Sequence, residues 1–420
     1  MTPSAERPAD AYSPTPAERK ARNRALLAAM AGFALDAMDV LLYVFALQTL
    51  RSEFGMSNAE AGLVSSVTLI TSAAGGIGAG ILADRFGRKR LLIVTILIYS
   101  IASAGTALSG SFWQLVFWRA MVGIGLGGEW SAGATLVAET WPVHLRQRAI
   151  SFMQSGWSIG YMLAAALSGF ILPRFGWRVL FLTGLLPALL TVFVRQGVQE
   201  PPVWQRRTKE QKQAGGFTRI FKAPLGSITL RATALASTTL LGYWGLFTWV
   251  PGFLSAPVSA GGAGISMFGT SSWVFLMQAG GFAGYIAFGF LCERFGRRNV
   301  FTTYVTAAAI LTLVYGNLPA WGLSSWLVWV GPFVGFFGTG FFSLFGALLA
   351  EIYPTSVRGA GQGFCYNFGR LLCAAAPWGT GLLADSWGIG AALGLNSGFF
   401  LISAFLIRFL PERPEGELAR

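Results

Sequence analysis

The sequence of 420 residues predicts an all-α membrane protein: twelve transmembrane helices in two pseudo-symmetric six-helix bundles. Three observations carry that prediction. The chain is 54% hydrophobic and only 12% charged, with mean hydropathy +0.56, against about a quarter charged residues in ordinary globular proteins. Its basic residues collect in alternate loops. Two charged loop motifs also recur in the second half of the chain at nearly the same offset.

Uncharged runs such as Leu91–Leu108 and Val300–Tyr315 approach or reach the roughly 18 apolar residues that span a bilayer core. In chain order, hydropathy places spans at 25–50, 59–83, 91–109, 112–138, 149–172, 178–195, 230–255, 270–291, 300–316, 323–350, 360–384 and 389–408. The 54 glycines suit tightly packed membrane helices, whose backbones approach closely where side chains are small. The 15 Trp and 34 Phe read mainly as interface belts and packing.

With these spans drawn, 26 of the 31 Lys and Arg fall on one side. Arg51, Arg174 and Arg178 fall on the other, and Arg119 and Arg370 lie within spans. The positive-inside rule then makes both termini and the central loop cytoplasmic. The net charge of +13 matches anionic lipid headgroups rather than nucleic acid. Residues 1–24 are polar and Pro-rich and read as a disordered tail with no signal peptide, so the first span serves as the insertion signal.

The repeats divide the chain. GILADRFGRKR runs from Gly80 to Arg90 and GFLCERFGRR from Gly289 to Arg298, with Asp84 and Glu293 209 positions apart. ETWPVHLRQR from Glu139 and EIYPTSVRGAG from Glu351 share an acid, a Pro three later and an Arg seven later, 212 positions apart. The expected organisation is a cytoplasmic tail at 1–24, a six-helix bundle at 25–195, a cytoplasmic central loop at 196–229, a second bundle at 230–410 and a tail at 411–420. Duplicated halves with a site between them at the bilayer midplane form a transporter architecture.

These segments resemble the major facilitator superfamily. GILADRFGRKR looks like its signature loop, with a weaker second copy where that family keeps one, and RAMVGIGLGGEW from Arg119 resembles its fourth-helix motif. VAETWPVHLRQRAISFMQ is similar to the loop 4–5 motif of sugar and organic-acid porters. LDAMD, GLGGEW and FCYNFGR look most like the sialate:proton symporter branch, which includes proton-coupled lactate and pyruvate carriers. The resemblance implies a carrier that works as a monomer.

Three acids lie inside the spans away from their outer ends: Asp36, Asp39 and Glu129. A charge at the bilayer centre costs about 2.5–3.5 kcal/mol, so each needs a partner or a purpose. At ~1.5 Å per residue, Asp39 lies ~21 Å from the cytoplasmic start of the first span and Arg119 ~11 Å from the outer end of the fourth. In a core ~30 Å thick these are nearly one level. Asp39 is therefore expected to take up and release a coupled proton with Arg119 as switchable partner; a fixed ion pair between two helices is the alternative. Related proton-coupled porters carry an acid and an Arg at these places. Asp36, one turn away on the same face, either relays the proton or bonds a neighbouring helix. Glu129 joins the proton-coupling set, although at ~26 Å from the outer end, close to the cytoplasm, a snorkelling or capping carboxylate is the favoured reading.

Arg370 lies ~15 Å into the eleventh span, near the midplane. A guanidinium there is a bidentate clamp for a substrate carboxylate, unless it pairs with an acid of the other half. Asn367 and Tyr366 lie beside it, and Gln154, Trp157, Tyr161 and Gln278 are further cavity candidates for which helix packing is as good a reading. The two loop motifs read as a cytoplasmic gate. Asp84 would cap the start of the eleventh helix, with Arg88, Glu139 and Arg146 completing a salt-bridge cluster. Glu293, Arg297, Glu351 and Arg358 form the pseudo-symmetric set.

Other signals are discounted. Gly123, Gly125 and Gly128 match G-x-G-x-x-G but follow no strand, so helix packing explains them. No G-x-x-x-x-G-K-[ST] exists, which argues against ATP as energy source. His144 falls in a loop, and Cys292, Cys365 and Cys373 lack metal spacing. The expectation is a carrier, not an enzyme. It needs no cofactor or metal, uses H+ as coupling ion, and sits among lipid in the plasma (inner) membrane. It symports a small organic acid, lactate or pyruvate first and sialic acid next; an aromatic acid or sugar carrier is the alternative. A membrane sensor would need a signalling domain, for which the short tails and central loop leave no room.

Overall fold

The computed structural model describes residues 16–86, 88–129, 133–134, 137, 140–189, 218–354 and 357–411. Glu139, and the side chains of Asp84, Arg88, His144 and Arg358, lie outside the described residues. Within them the helical segments group into twelve helices near the predicted spans, and seven are long and apolar enough by themselves to cross a membrane.

In the first half, α1 is Pro16–Phe54, α2 Asn58–Phe86, α3 Arg88–Thr106 and α4 Phe112–Leu126. α5 comprises Val143–Gln154 and the part of Gly156–Leu182 before Gly176; α6 is the part beyond it, continued by the 3-10 turn Thr183–Leu185. In the second half, α7 joins Leu225–Phe247 and Val250–Ser255, α8 is Met267–Phe295 and α9 Arg297–Asn317. α10 joins Leu327–Thr339 and Ser343–Ile352, α11 joins Arg358–Cys373 and Ala375–Trp387, and α12 joins Ile389–Leu395 and Ser397–Leu406.

The helix ends follow from local chemistry. Helix α1 begins at Pro16, earlier than the predicted 25, so part of the expected disordered tail is helical. Proline suits the first helical position because its missing N–H would have no partner there, and Ala, Glu, Arg and Lys follow it as good helix formers. Helix α2 opens with a capping box. The Glu60 amide donates to Ser57 Oγ at 3.1 Å and the Ser57 amide to Glu60 Oε2 at 2.8 Å. Gly176 (φ 77°) turns α5 into α6, and Gly388 (φ 82°) turns α11 into α12. The same left-handed break, which only glycine adopts cheaply, thus serves equivalent places in both halves.

Packing repeats in the same way. Helix α1 packs on α5 as α7 packs on α11, and α2 on α4 as α8 on α10. The halves meet where α2 lies against α11 and α5 against α8. Each of these swaps into the other when six is added to the helix number, the signature of a pseudo-two-fold pair. Glycines permit the approach: a Cβ on Gly125 of α4 would come within 2.7 Å of the Tyr99 backbone nitrogen of α3. The G-x-G-x-x-G match is therefore a packing feature. Cys292, Cys365 and Cys373 are buried free thiols. Exposed Trp113, Trp321, Trp326, Trp329 and Trp387 belong to the ends of helices opposite the basic loops, as an interface belt requires.

Candidate substrate and proton site

Between the halves lies a cavity of about 30 Å³, room for a couple of waters. Its wall includes Asp36, Tyr43 and Val44 of α1, Ser65, Thr68 and Ser72 of α2, Arg119 of α4, Trp157 of α5, Trp244 of α7 and Arg370 of α11. Cross-half bonds close it on both sides. Toward the basic-loop end, Gln147 Nε2 donates to the Ser343 carbonyl at 2.8 Å and Gln154 Nε2 to the Phe342 carbonyl at 3.2 Å. Toward the opposite end, the Tyr161 hydroxyl donates to the Phe247 carbonyl at 2.9 Å.

Arg370 is buried and its Nη1 donates to Ser72 Oγ across the halves at 2.8 Å. The guanidinium carbon sits 5.2 Å from the Tyr366 ring centroid. Among the described residues no carboxylate lies within ion-pair distance of Arg370. Asp36, however, faces the same cavity from the opposite half and interacts with Arg370 through charge. Ser72 was not anticipated, yet the sequence holds a signal for it. Ser65, Thr68 and Ser72 are spaced to share one face of α2, a polar stripe on an otherwise apolar helix.

Asp39 and Arg119 come to one level, as depth counting requires, and interact through charge, although no hydrogen bond or ion pair within 4 Å joins them among the described residues. Arg119 Nη2 instead donates to the Val40 carbonyl at 3.4 Å, and its guanidinium carbon is 5.4 Å from the Tyr43 ring centroid. Asp39 points away from the cavity toward Ser103 of α3 and Gly184. An added Cβ on Gly184 would lie 2.2 Å from Ser103 Oγ and 2.6 Å from Asp39 Oδ1. Both Asp39 oxygens are buried, with the Ser103 hydroxyl the polar group beside them. The acid that meets the cavity is therefore Asp36, and Asp39 lies behind it.

Glu129 does not snorkel. It is 6% exposed, its Oε2 has no hydrogen-bond partner among the described residues, and it interacts with Asp36 through charge. Tyr99 of α3, missed in the sequence, is fully buried with an unpartnered hydroxyl and interacts with all three acids.

Of the other candidates, Trp157 lines the cavity and donates its N–H to the Tyr243 hydroxyl of the other half. Asn367 Nδ2 bonds its own helix at the Gly363 carbonyl, 2.9 Å away, and its side chain packs at Gly76 of α2. Gln278 Oε1 accepts from Ser158 Oγ at 3.2 Å, linking α5 to α8. Gln154, Tyr161, Asn367 and Gln278 thus hold helices together and are not part of the cavity wall.

At the basic-loop end, Arg297 grips Glu351 with both terminal nitrogens, joining α9 to α10 as the second motif set requires. Glu293 is paired with Arg148, a residue outside both motif sets, across the halves from α8 to α5. Arg148 lies two residues past the motif Arg146, which is why motif matching passed over it; Arg146 is partly buried. The Asp84, Arg88, Glu139 and Arg358 part of the expected gate lies outside the described residues.

A twelve-helix bundle of paired halves, packed around a central cavity that Asp36, Arg119 and Arg370 line, has the form of a membrane carrier. A model of the Major Facilitator Superfamily matches residues 28–263 and 253–420, and the chain belongs to that superfamily of transporters; it is not an enzyme. A protein of Cupriavidus pinatubonensis named as a probable 4-methylmuconolactone transporter is 33% identical over 394 residues, 92% of this chain and 89% of its own. The cis,cis-muconate transport protein of Acinetobacter baylyi is 30% identical over 399 residues, covering 93% and 94%. The solved proton:xylose symporter XylE, bound to 6-bromo-6-deoxy-D-glucose, superposes with a TM-score of 0.76 over 94% of this chain and 97% of its own. At 20% identity that likeness shows the fold alone.

Proposed function

We propose that the chain is a proton-coupled symporter of a small organic anion, working by alternating access as a monomer in the bacterial inner membrane with both termini cytoplasmic. One observation carries this reading: Arg370 and Asp36 face a single buried cavity from opposite halves. A substrate carboxylate would bind the Arg370 guanidinium, with Ser72 beside it. An ionised Asp36 competes for that charge, and protonating Asp36 frees it. Substrate anion and proton then enter as a neutral pair, which removes the cost of moving a net charge through the bilayer. Asp39, Tyr99 and Glu129 would pass the proton onward, with Arg119 holding α4 against α1.

The relatives' names and the cavity wall widen the substrate beyond lactate and pyruvate. Tyr43, Trp157 and Trp244 offer ring faces that suit unsaturated or aromatic acids, and the two relatives are named for muconate and a muconolactone. Lactate, pyruvate and sialate remain within the carboxylate class that Arg370 would read.

The test uses purified protein in liposomes with an interior pH dye, challenged with muconate, benzoate, lactate, pyruvate, sialate or glucose, with protein-free liposomes as control. Acidification driven by an organic acid, and lost in Arg370→Ala and Asp36→Asn, is expected. Uptake without proton movement would leave a uniporter; glucose carried equally well by Arg370→Ala would overturn the organic-anion reading.

A further inference from the structure

The end of the molecule opposite the basic loops carries its own cross-half bond. Asp385, near the end of α11, caps the start of α2, 327 residues away. Its Oδ1 accepts from the Asn58 amide at 3.2 Å and from Asn58 Nδ2 at 2.6 Å, and its Oδ2 accepts from the Ala59 amide at 3.1 Å. A helix start leaves four backbone N–H groups unpaired. The capping box within α2 uses Ser57 and Glu60 and serves the Glu60 amide. The Asn58 and Ala59 amides are taken by a carboxylate of the other half, which the helix dipole favours.

The sequence explains why the acid is there. The end of α11 reads GLLADSWG from Gly381 to Gly388, and the end of α2 reads GILADRFG from Gly80 to Gly87. Helices α2 and α11 pack against each other and run in opposite directions, so each carries G-[IL]-L-A-D at its C-terminal end beside the other's start. Gly381 is where the backbones touch: a Cβ there would come within 2.5 Å of the Asn58 carbonyl. The neighbouring Trp249 indole donates to the Pro377 carbonyl of α11 at 3.0 Å, and a Cβ on Gly62 of α2 would meet that carbonyl at 2.4 Å.

We propose that Asp385 is the latch of the outward end in the transport cycle, the reciprocal of the bond expected from Asp84 at the basic-loop end. The inference concerns access and stands apart from substrate and coupling ion. Asp385 is solvent-exposed and Asn58 and Ala59 are half-buried at the surface, so water replaces the bonds when the halves part. The bond is weak enough to open in every cycle and specific enough to bias the closed form.

The experiment introduces Ser65→Cys, a cavity-wall position, whose labelling by a membrane-impermeant maleimide is timed in intact cells. The native cysteines are buried. Adding Asp385→Ala should raise the labelling rate about five- to tenfold, the scale of losing a helix cap. Asp385→Asn keeps one acceptor and should give a smaller rise. Arg148→Ala, which breaks the ion pair at the other end, should lower the rate. Unchanged labelling in Asp385→Ala, or a rise of equal size in Arg148→Ala, overturns the latch. If the alanine variant does not reach the membrane, the asparagine variant decides: a rise supports the latch, and a wild-type rate refutes it.

Discussion

The two halves share one backbone plan and carry different chemistry. The first half buries three carboxylic acids and Arg119 in α1, α4 and the residues just past α4; in the second half the only ionisable charge in the membrane interior, among the described residues, is Arg370. Helix α7, the equivalent of α1, has threonines and serine at its buried polar positions and no acid. A duplicated scaffold thus kept its packing rules while every buried acid came to lie in the first half and the second half, among the described residues, kept a single buried cation. Packing constrains both copies alike, since helix contacts are set by small residues and shape. Charge in the bilayer is costly, so it persists only where a task requires it. On that comparison, the proposed symport would place the substrate on the second half and the proton on the first.

The strongest break of the comparison is Arg370→Ala, expected to lower organic-acid uptake by about 100-fold or more, since it removes the charged anchor for the anion. Arg370→Lys should recover little, because an ammonium lacks the flat double donor; initial uptake rates in liposomes measure both. Next comes Asp36→Asn. Exchange of labelled for unlabelled acid should survive, whereas accumulation driven by an inward pH gradient should vanish, so the ratio of the two activities is the readout. If exchange is lost with accumulation, Asp36 belongs to substrate binding and the division between halves fails.

Trp157→Phe keeps a ring in the wall but deletes the N–H given to Tyr243. The expected result is a roughly three- to tenfold higher KM with a stable fold, the scale of one buried hydrogen bond. The smallest effect belongs to the basic-loop end. Glu351→Gln removes one charge of the Arg297 pair, whose side chains are 26% and 19% exposed. About 1 kcal/mol of stability should go, seen as a Tm lower by a few degrees in detergent, with KM unchanged. A large KM change there would mean that the loop motif reaches the binding site.

Much of this was legible in advance for a physical reason. A helix in lipid must satisfy its backbone internally and present apolar side chains, so the spans and their sidedness follow from hydropathy and charge. Depth along a helix is a simple multiple of rise, which brought Asp39 and Arg119 to one level. Azimuth was not legible. Whether Asp36 or Asp39 faces the cavity depends on how α1 is rotated against α3, α4 and α5. That rotation is set by contacts such as Gly160 against Ala34, which involve residues far apart in the chain. For the same reason Arg148, which belongs to neither motif set, pairs with Glu293, and Gln278 and Asn367 turned into helices and not into the cavity. Tyr99 gave no signal at all, as an aromatic among apolar neighbours reads as packing until its unpartnered hydroxyl is placed beside three acids.

The smallness of the closed cavity has an electrical consequence. A passage that stayed wide while its two ends exchanged access would at some instant hold a continuous thread of water. Protons hop along such a thread far faster than any protein changes shape. A membrane whose voltage and pH gradient store the cell's energy would be short-circuited by it. Room for a couple of waters, with Trp157 and Trp244 in the wall, would make a fully closed form an insulator. Each turn of the cycle then moves only what is bound, and the energy stored across the membrane is drawn down in counted steps instead of leaking away.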